Sequence, residues 1–340
     1  MVKVSIVIPN YNGERFLKDC LESLKRQSFK EMEVIMVDNA SDDGSIDTAR
    51  KLYPDIRILE LSENTGFAPA VNRGIEAAEG EYVILLNNDT IAFPNFVRNQ
   101  YKMIKGKPEV FSCSALMIQN GDRSLVDDAG DEFAALGWGF APDRDKPVKG
   151  CTVPHEVFSS CAGAAIYRKS VFDEIGLFDE RFFAYLEDMD IGCRARLAGY
   201  RNLYNPYARV YHLGSASSGS RHNAFKVELS ARNSMFLVRK NLPCWQQLLN
   251  LPFLVAGAAI KTVYFAKKSL AGAYLRGIRK GVFGVMNAEN SGAATNAGNA
   301  GTVVTTEGQG DWRKKSTEPQ LRDYLKLQGW LYRGMIKRIR

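Results

Sequence analysis

The sequence predicts an α/β fold with a mostly parallel central sheet flanked by helices, and three observations carry that prediction. Apolar runs of strand length alternate with helix-spaced segments through the first ninety residues, the pattern of repeated strand–helix–strand units. Tyr82-Val83-Ile84-Leu85-Leu86 is apolar without a break, as suits a strand covered on both faces. That strand then stops in Asn87-Asn88-Asp89-Thr90. Polar groups crowded at the carboxyl end of a buried strand are costly unless a ligand sits there, and that is where ligands of open α/β sheets bind.

Taken in order, Val4 to Pro9 reads as the first buried strand, Asn10-Tyr11-Asn12-Gly13 as a turn, and Phe16, Leu17, Cys20, Leu21 and Leu24 as the inner face of a helix. Glu33 to Asp38 is a second strand, followed by the loop Asn39 to Ser45 and a helix that Pro54 stops. Ile56 to Leu61 is a third strand. Asn64-Thr65-Gly66 opens a segment whose helix ends near Gly80, and the Tyr82 strand follows. Pro94 opens a helix reaching Lys105, and Val110 to Leu116 is another strand. Residues 119–158 are irregular and rich in Gly, Asp and Pro, longer than a plain connection needs, and are read as the wall or lid of a cleft. A short helix stops at Gly176, an aromatic loop runs from Phe178 to Tyr185, a helix from Glu187 to Gly199, and strand-like runs over 201–213 end in His212.

No GxGxxG follows the first strand, so the pyrophosphate of a dinucleotide lacks its usual cradle. GxSxG and GxxxxGK[ST] are also missing, which weakens hydrolase and NTPase readings. The six cysteines are scattered without a CxxC pair and read as buried thiols in a reducing compartment. The net charge of +7 is uneven: residues 261–340 hold 15 Lys and Arg against 5 Asp and Glu. A basic tail on a near-neutral body suits an anionic membrane surface rather than nucleic acid.

Residues 241–260 carry no charge but include Pro243, Pro252 and the amides Gln246, Gln247 and Asn250, a poor single span that suits a re-entrant or interfacial helix pair. Burial in a core and contact with a second copy of the chain in a homo-oligomer stay open. Residues 287–311, mostly Asn, Ala, Gly, Ser and Thr, read as a disordered linker. The expected division is thus 1–118 and 119–235 as two halves of the body, 236–286 as an apolar and basic helical segment at a membrane surface, the linker, and 312–340 as a basic C-terminal helix. An N-terminus that enters a strand at once implies a cytoplasmic chain, associated peripherally with the inner face of the plasma membrane.

Four side chains stand out chemically. Asp89 is a candidate ligand for a hard divalent cation bridging a diphosphate, with helix capping as the plainer account. Glu187 and Asp188 begin a helix, where carboxylates are favoured by the helix dipole; beside Phe182, Phe183 and Tyr185 one of them could instead act as a general base with a raised pKa. Asp190 is expected to pair with Arg194. His212 is a candidate second metal ligand or else a satisfied core histidine. Arg221 and Arg232 have the geometry to reach a diphosphate.

In combination, Val4 to Gly13, Val37 to Ser45, Asn64 to Ala68, Leu86-Asn87-Asn88-Asp89, and Glu187 to Asp190 preceded by Gly176 to Glu180 resemble the inverting glycosyltransferases of family 2. The likeness covers about residues 1–235 and is greatest to the rhamnosyltransferase-like enzymes of bacterial polysaccharide and lipopolysaccharide assembly. It implies the GT-A nucleotide-diphospho-sugar transferase fold, here with a helical basic C-terminal extension. It also implies that Pro9, Tyr11, Asn12 and Asp38 meet the base and ribose, that Asn64, Gly66 and Asn88 line the nucleotide cleft, and that Asp89 and His212 hold the metal. Asp188, next to Glu187, would be the catalytic base.

Two departures matter. Asn87 stands where the family's metal motif begins with an aspartate, and Val71 stands where many members carry an arginine before the residue matching Asn72. The reading is therefore a transferase using Mg2+ or Mn2+ and a UDP- or dTDP-sugar, which passes rhamnose or a hexose to a growing, lipid-linked glycan. A sugar-phosphate nucleotidyltransferase and a non-catalytic glycan-assembly protein are the alternatives.

Overall fold

The computed structural model describes residues 1–214, 223–284 and 319–339. Arg221 and the expected linker at 287–311 lie outside the described residues. The first half of the body is built from β1 (Val4–Asn10), α1 (Glu14–Lys25), β2 (Met32–Asp38), α2 (Ser45–Leu52), β3 (Arg57–Glu60), α3 (Phe67–Ala77) and β4 (Tyr82–Leu86). The chain continues through β5 (Thr90–Ala92), α4 (Phe96–Ile104), β6 (Val110–Gln119), β7 (Val126–Asp128), β8 (Glu132–Ala134), β9 (Trp138–Phe140), β10 (His155–Val157) and β11 (Ala164–Arg168). Then come α5 (Lys169–Ile175), α6 (Glu187–Leu197), β12 (Arg201–His212), α7 (Ala224–Asn241), α8 (Cys244–Ala266), α9 (Ala271–Phe283) and α10 (Leu321–Ile339).

The main sheet runs β10-β12-β6-β11-β4-β1-β2-β3, with β5 added to β12 and β7 to β6. It is parallel across β4, β1, β2 and β3 and turns antiparallel where β11 enters between β4 and β6. β1 has β2 on one side and β4 on the other. The chain therefore reverses direction across the sheet beside β1 and leaves a crevice at the carboxyl ends of β1 and β4.

Side chains alternate between the two faces as the strand period requires. Val4, Ile6 and Ile8 join α1 and α4 in one core, while Val7 joins α3 and α5 in the other. All of β4 is buried, as its uninterrupted apolar sequence predicts. Helix α3 lies so close to β1 that a Cβ on Gly74 would come within 2.2 Å of Val7 Cγ1.

Helix α6 is anchored by a buried polar hub. Asp190 takes the Arg194 Nε (2.9 Å), Lys240 Nζ (2.8 Å) and Asn241 Nδ2 (2.8 Å), which ties α6 to α7 and uses Asp190 structurally, as its spacing from Arg194 suggests. Arg194 also donates to the Leu177 carbonyl at 2.8 Å. Helix α10 packs across β8 and α6: Leu327 and Leu331 are buried, the Ala135 N–H donates to Leu331 O at 3.1 Å, and the Arg196 guanidinium lies 3.8 Å from the Trp330 ring centre.

Three sequence expectations change. Residues 119–158 contain four short strands, β7 to β10, each three residues long and too short for alternation to register. The apolar stretch after 241 forms one helix, not a pair: Pro243 precedes its first turn and Pro252 lies inside it. Phe182 belongs to the core, its ring 4.9 Å from that of Phe236, rather than to a cleft wall. Among the described residues all six cysteines are free thiols, and only Cys244 is exposed.

Candidate active site

The carboxyl ends of β1, β2 and β4 carry a connected set of polar side chains. Asp38, closing β2, is buried and accepts from Asn10 Nδ2 (2.9 Å), the Ser41 N–H (2.9 Å) and Ser41 Oγ (2.7 Å). Asn10 Oδ1 in turn accepts from Asn88 Nδ2 at 2.7 Å, so the strand that begins the fold is joined to the one that ends at Leu86. Asn12 takes φ 49°. Its N–H donates to Ser41 Oγ (2.9 Å) and its side chain accepts from the Asp42 N–H (2.9 Å). Asn39 Nδ2 donates to Asn64 Oδ1 (3.0 Å) and Gly66 O (2.9 Å). Tyr11 stays exposed beside this network, and Pro9 is partly buried.

Gly66 has φ 95°, and a Cβ there would lie 2.5 Å from the Phe183 ring, so only glycine lets the aromatic loop close over it. That loop is held in an unusual shape. Phe183, Tyr185 and Leu186 all have positive φ (63°, 69° and 68°), conformations that cost energy in side-chain-bearing residues and need external support. Asn233 supplies it, its Nδ2 reaching the carbonyls of Phe182 (3.1 Å), Ala184 (2.9 Å) and Tyr185 (2.7 Å). Arg232 also spends its guanidinium there, on Arg181 O (2.7 Å) and Phe182 O (3.0 Å), rather than facing a diphosphate. The loop delivers α6 with Glu187 and Asp188 in its first turn.

Asp188 meets the β4 end through a short chain of contacts. Its Oδ2 accepts from the Ala162 N–H at 3.3 Å and its Oδ1 from the Met189 N–H at 2.8 Å. The next residue, Gly163, accepts from the Asn87 N–H at 2.9 Å. Burial raises the Asp188 carboxyl to about 6 against the pull of those N–H donors. Glu187 is more deeply buried, with one carboxylate oxygen unpartnered among the described residues. Burial and the neighbouring Asp188 push it well above the usual carboxylate range.

Asp89 and His212 come together because β5 and β12 pair, with His212 opposite Thr90. His212 Nε2 lies 3.3 Å from Asp89 Oδ1, and His212 Nδ1 lies 2.6 Å from Asp127 Oδ2. Burial lowers the imidazole pKa, but the two carboxylates outweigh it and raise His212 to about 9. A carboxylate oxygen beside an imidazole whose other nitrogen is engaged is a donor set that fits Mg2+ or Mn2+.

Asp127, Asp128 and Asp131 are the residues that sequence reasoning missed. The signal was present in Asp127-Asp128-Ala129-Gly130-Asp131, three carboxylates around a glycine within the stretch read as a cleft wall. Asp127 also holds Arg144, its Oδ1 lying 3.0 Å from Nη2. Asp128, Asp131 and Cys161 bring their ligand-type atoms within 4.8 Å of one another. Burial, then Asp127 and Asp188, raise Asp128 to about 7; burial, Asp128 and Asp188 raise Asp131 well above its ordinary value. Asn72 is structural, bonded through Nδ2 to Phe178 O at 2.8 Å, and Val71 is buried beside it.

Comparison with known proteins gives a consistent set of relatives. Residues 5–176 match the model of the family described as glycosyl transferase family 2. The chain is 30% identical over 240 residues to the N-acetylglucosaminyl-diphospho-decaprenol L-rhamnosyltransferase of Mycobacterium tuberculosis, covering 63% of this chain and 77% of that one. It is 30% identical over 243 residues to the uncharacterized glycosyltransferase YwdF of Bacillus subtilis, covering 70% and 82%. Among solved structures, the mannosyltransferase PcManGT from Pyrobaculum calidifontis, in complex with GDP-Man and Mn2+, superposes with a TM-score of 0.55 at 16% identity over 83% of this chain and 87% of that one. GalNAc-T7 with UDP, GalNAc and Mn2+ gives 0.57 at 18% over 71% and 48%. At these identities the structural likeness speaks to the fold, a GT-A arrangement.

Proposed function

This chain belongs to glycosyl transferase family 2, and from that premise we propose that it moves a rhamnosyl or hexosyl group from a UDP- or dTDP-sugar to a hydroxyl of a growing, lipid-linked glycan. Membership makes it an enzyme that transfers sugar from a nucleotide-sugar donor. The observation that carries the finer reading is the meeting of three groups at one end of the sheet. These are the Asp38–Asn10–Asn88 network, the Asp89–His212 pair, and Asp188 beside Ala162 and Gly163. The rhamnosyl assignment and the polyprenyl-type acceptor draw on the mycobacterial relative, whose name states both.

In this reading residues 1–118 hold the donor and 119–235 the acceptor. Pro9, Tyr11, Asn12 and Asp38 face base and ribose, with Asn64, Gly66 and Asn88 along the cleft and Arg221 as a further diphosphate contact. Asp89 and His212 hold a Mg2+ or Mn2+, with Asp127 orienting the imidazole. The cation supplies charge neutralisation for the departing diphosphate.

The acceptor hydroxyl gives its proton to the Asp188 carboxylate as its oxygen bonds to the anomeric carbon. The bond from that carbon to the phosphate oxygen breaks on the opposite side, so configuration inverts and the nucleoside diphosphate leaves. A carboxyl raised to about 6 is still ionised at neutral pH and is a stronger base than an exposed aspartate. Burial and the neighbouring Asp188 hold the Glu187 carboxyl well above the usual carboxylate range, which disfavours a second negative charge beside the base. The basic tail and α8, long and apolar enough by length and composition to cross a membrane, support an enzyme working beside an anionic membrane surface.

Thermal shifts with UDP and dTDP, each with and without Mn2+, test the site. The wild-type chain is expected to gain stability from nucleotide plus Mn2+ beyond either alone, and Asp89→Ala to lose that increment. An unchanged increment in Asp89→Ala excludes the metal role. The preferred base then separates uridine from deoxythymidine donors.

A further inference from the structure

Helix α8 is built inside out. The most deeply buried side chains it turns towards the body are amides, Gln246 at 0% exposed and Asn250 at 1%, with Phe253, Leu254 and Phe265 packed further along. Gln246 Nε2 donates to Tyr324 O at 2.7 Å, and the Asn250 and Gln328 amides donate hydrogen bonds to each other at 2.9 and 2.8 Å. The side chains it turns outward are apolar: Leu248 is 69% exposed and Val255 and Val263 each 60%, with Leu249, Leu251 and Ile260 alongside. Ordinary surface helices do the reverse, and a contiguous apolar face left open marks a surface meant to be covered.

Three features of α8 say what covers it. The face carries no charged residue from Cys244 to Ile260, and it ends in the groups favoured where acyl chains meet headgroups. Trp245 is exposed at one end. At the other, exposed Tyr264 has Lys268 Nζ 4.8 Å from its ring centre, next to exposed Lys267. The helix has no Asp or Glu, so two copies packed face to face would offer nothing to pair these lysines, as a self-complementary interface requires. The opposite side is fixed to the protein: a Cβ on Gly257 would fall 2.3 Å from Leu136 O. α8 therefore lies along the body instead of standing across a bilayer.

Its support leads to the acceptor side of the pocket. Leu254 packs against Gly137 in the turn of the β8–β9 hairpin, and Gly139 of the same hairpin packs against Leu186 and Met189, which flank Glu187 and Asp188. We propose that the outward face of α8 seats in the headgroup boundary of an anionic bilayer with its axis in the plane. Through the hairpin it sets the acceptor side of the cleft at the depth where the diphosphate and first sugars of a lipid-linked glycan emerge. This rests on the acceptor reading given above and adds the surface that meets the lipid.

The test sediments the full chain with vesicles of phosphatidylcholine alone or mixed with phosphatidylglycerol. The wild-type chain is expected to bind the mixed vesicles and the Leu248→Asp/Val255→Asp variant to bind them at least about tenfold less. Lys267→Glu/Lys268→Glu is expected to lose the preference for anionic lipid. All three should keep the same thermal shift with nucleoside diphosphate and Mn2+, which shows that the fold and donor site are intact. Loss of that shift in the wild-type chain would defeat the transferase site without touching the membrane claim. Three results would overturn the docking surface: wild-type protein left in the supernatant or binding both vesicle types equally, undiminished binding by Leu248→Asp/Val255→Asp, or a dimer in light scattering that this variant dissociates.

Discussion

At the scale of single residues, the site depends on carboxylates whose settings differ. Asp188 has two N–H donors and some solvent, Glu187 is closed in, and Asp127 is committed to an imidazole. A histidine held through Nδ1 presents Nε2 in a fixed direction, and removing such a partner typically weakens metal binding about 10–100-fold. Asp127→Ala is therefore expected to weaken Mn2+ affinity in that range while leaving nucleotide binding without metal unchanged. Titration of the Mn2+ electron paramagnetic resonance signal measures it, and wild-type affinity in the variant would remove Asp127 from the site. The same setting fixes the pH profile. Asp188 must be ionised to accept a proton, so kcat/KM is expected to rise with pH through a limb near 6; a flat profile from pH 5 to 7 contradicts the assignment. Asp38, Asp89, Asp188 and His212 could be proposed from the sequence because each stands at the end of a strand or the start of a helix, where motif and position coincide. Asp127 was not, since its role exists only once β6, β7 and β12 lie side by side.

At the scale of elements, close approaches set the frame of the cleft. Gly74 lets α3 lie against β1, and α3 begins at Phe67, whose N–H donates to Phe183 O at 2.7 Å. Gly74→Ala gains about 1 kcal/mol of helix propensity but forces a methyl into Val7, a clash of overpacking that costs about 1–3 kcal/mol. With contact at 2.2 Å to a buried β-branched side chain, the clash wins. A lower denaturant midpoint with an unchanged slope is the expected result, and equal or greater stability would show that α3 moves freely. The parallel strands and their helices were legible because each is long enough for its period to show. The β7–β10 strands were not, because three residues carry no period, and β10 in addition finds its partner β12 nearly fifty residues later. Helix α8 was legible as an apolar segment and illegible as a single helix, since prolines at 243 and 252 argue for a break. Pro243 precedes the first turn, where a missing N–H costs nothing. The inward direction of its amides depends on α10, some eighty residues later.

At the scale of the whole molecule, the site is a standing cost to stability at neutral pH. Asp188 and Asp128 have folded-state pKa values raised from 3.8 to about 6 and about 7. The folded chain thus keeps protons that the unfolded chain has released, and stability falls as pH rises through that window. His212, raised from 6.5 to about 9, contributes stability that is complete below 6.5 and lost towards 9. Asp179 and Asp190, lowered by Lys240 against the effect of burial, act in the other direction only below their unfolded value of 3.8. The metal-free chain is therefore expected to melt at progressively lower temperature from pH 5 to 9, and a melting temperature that rises over that range contradicts these settings. Under the proposed role of Asp188, function and stability oppose each other most plainly there, because the desolvation that would make a better base also burdens the fold. Replacing that carboxylate by its amide keeps shape and removes charge. In Asp188→Asn, single-turnover transfer from a bound nucleotide sugar is expected to fall about 10²–10⁴-fold with donor affinity unchanged. Transfer at the wild-type rate would contradict the account.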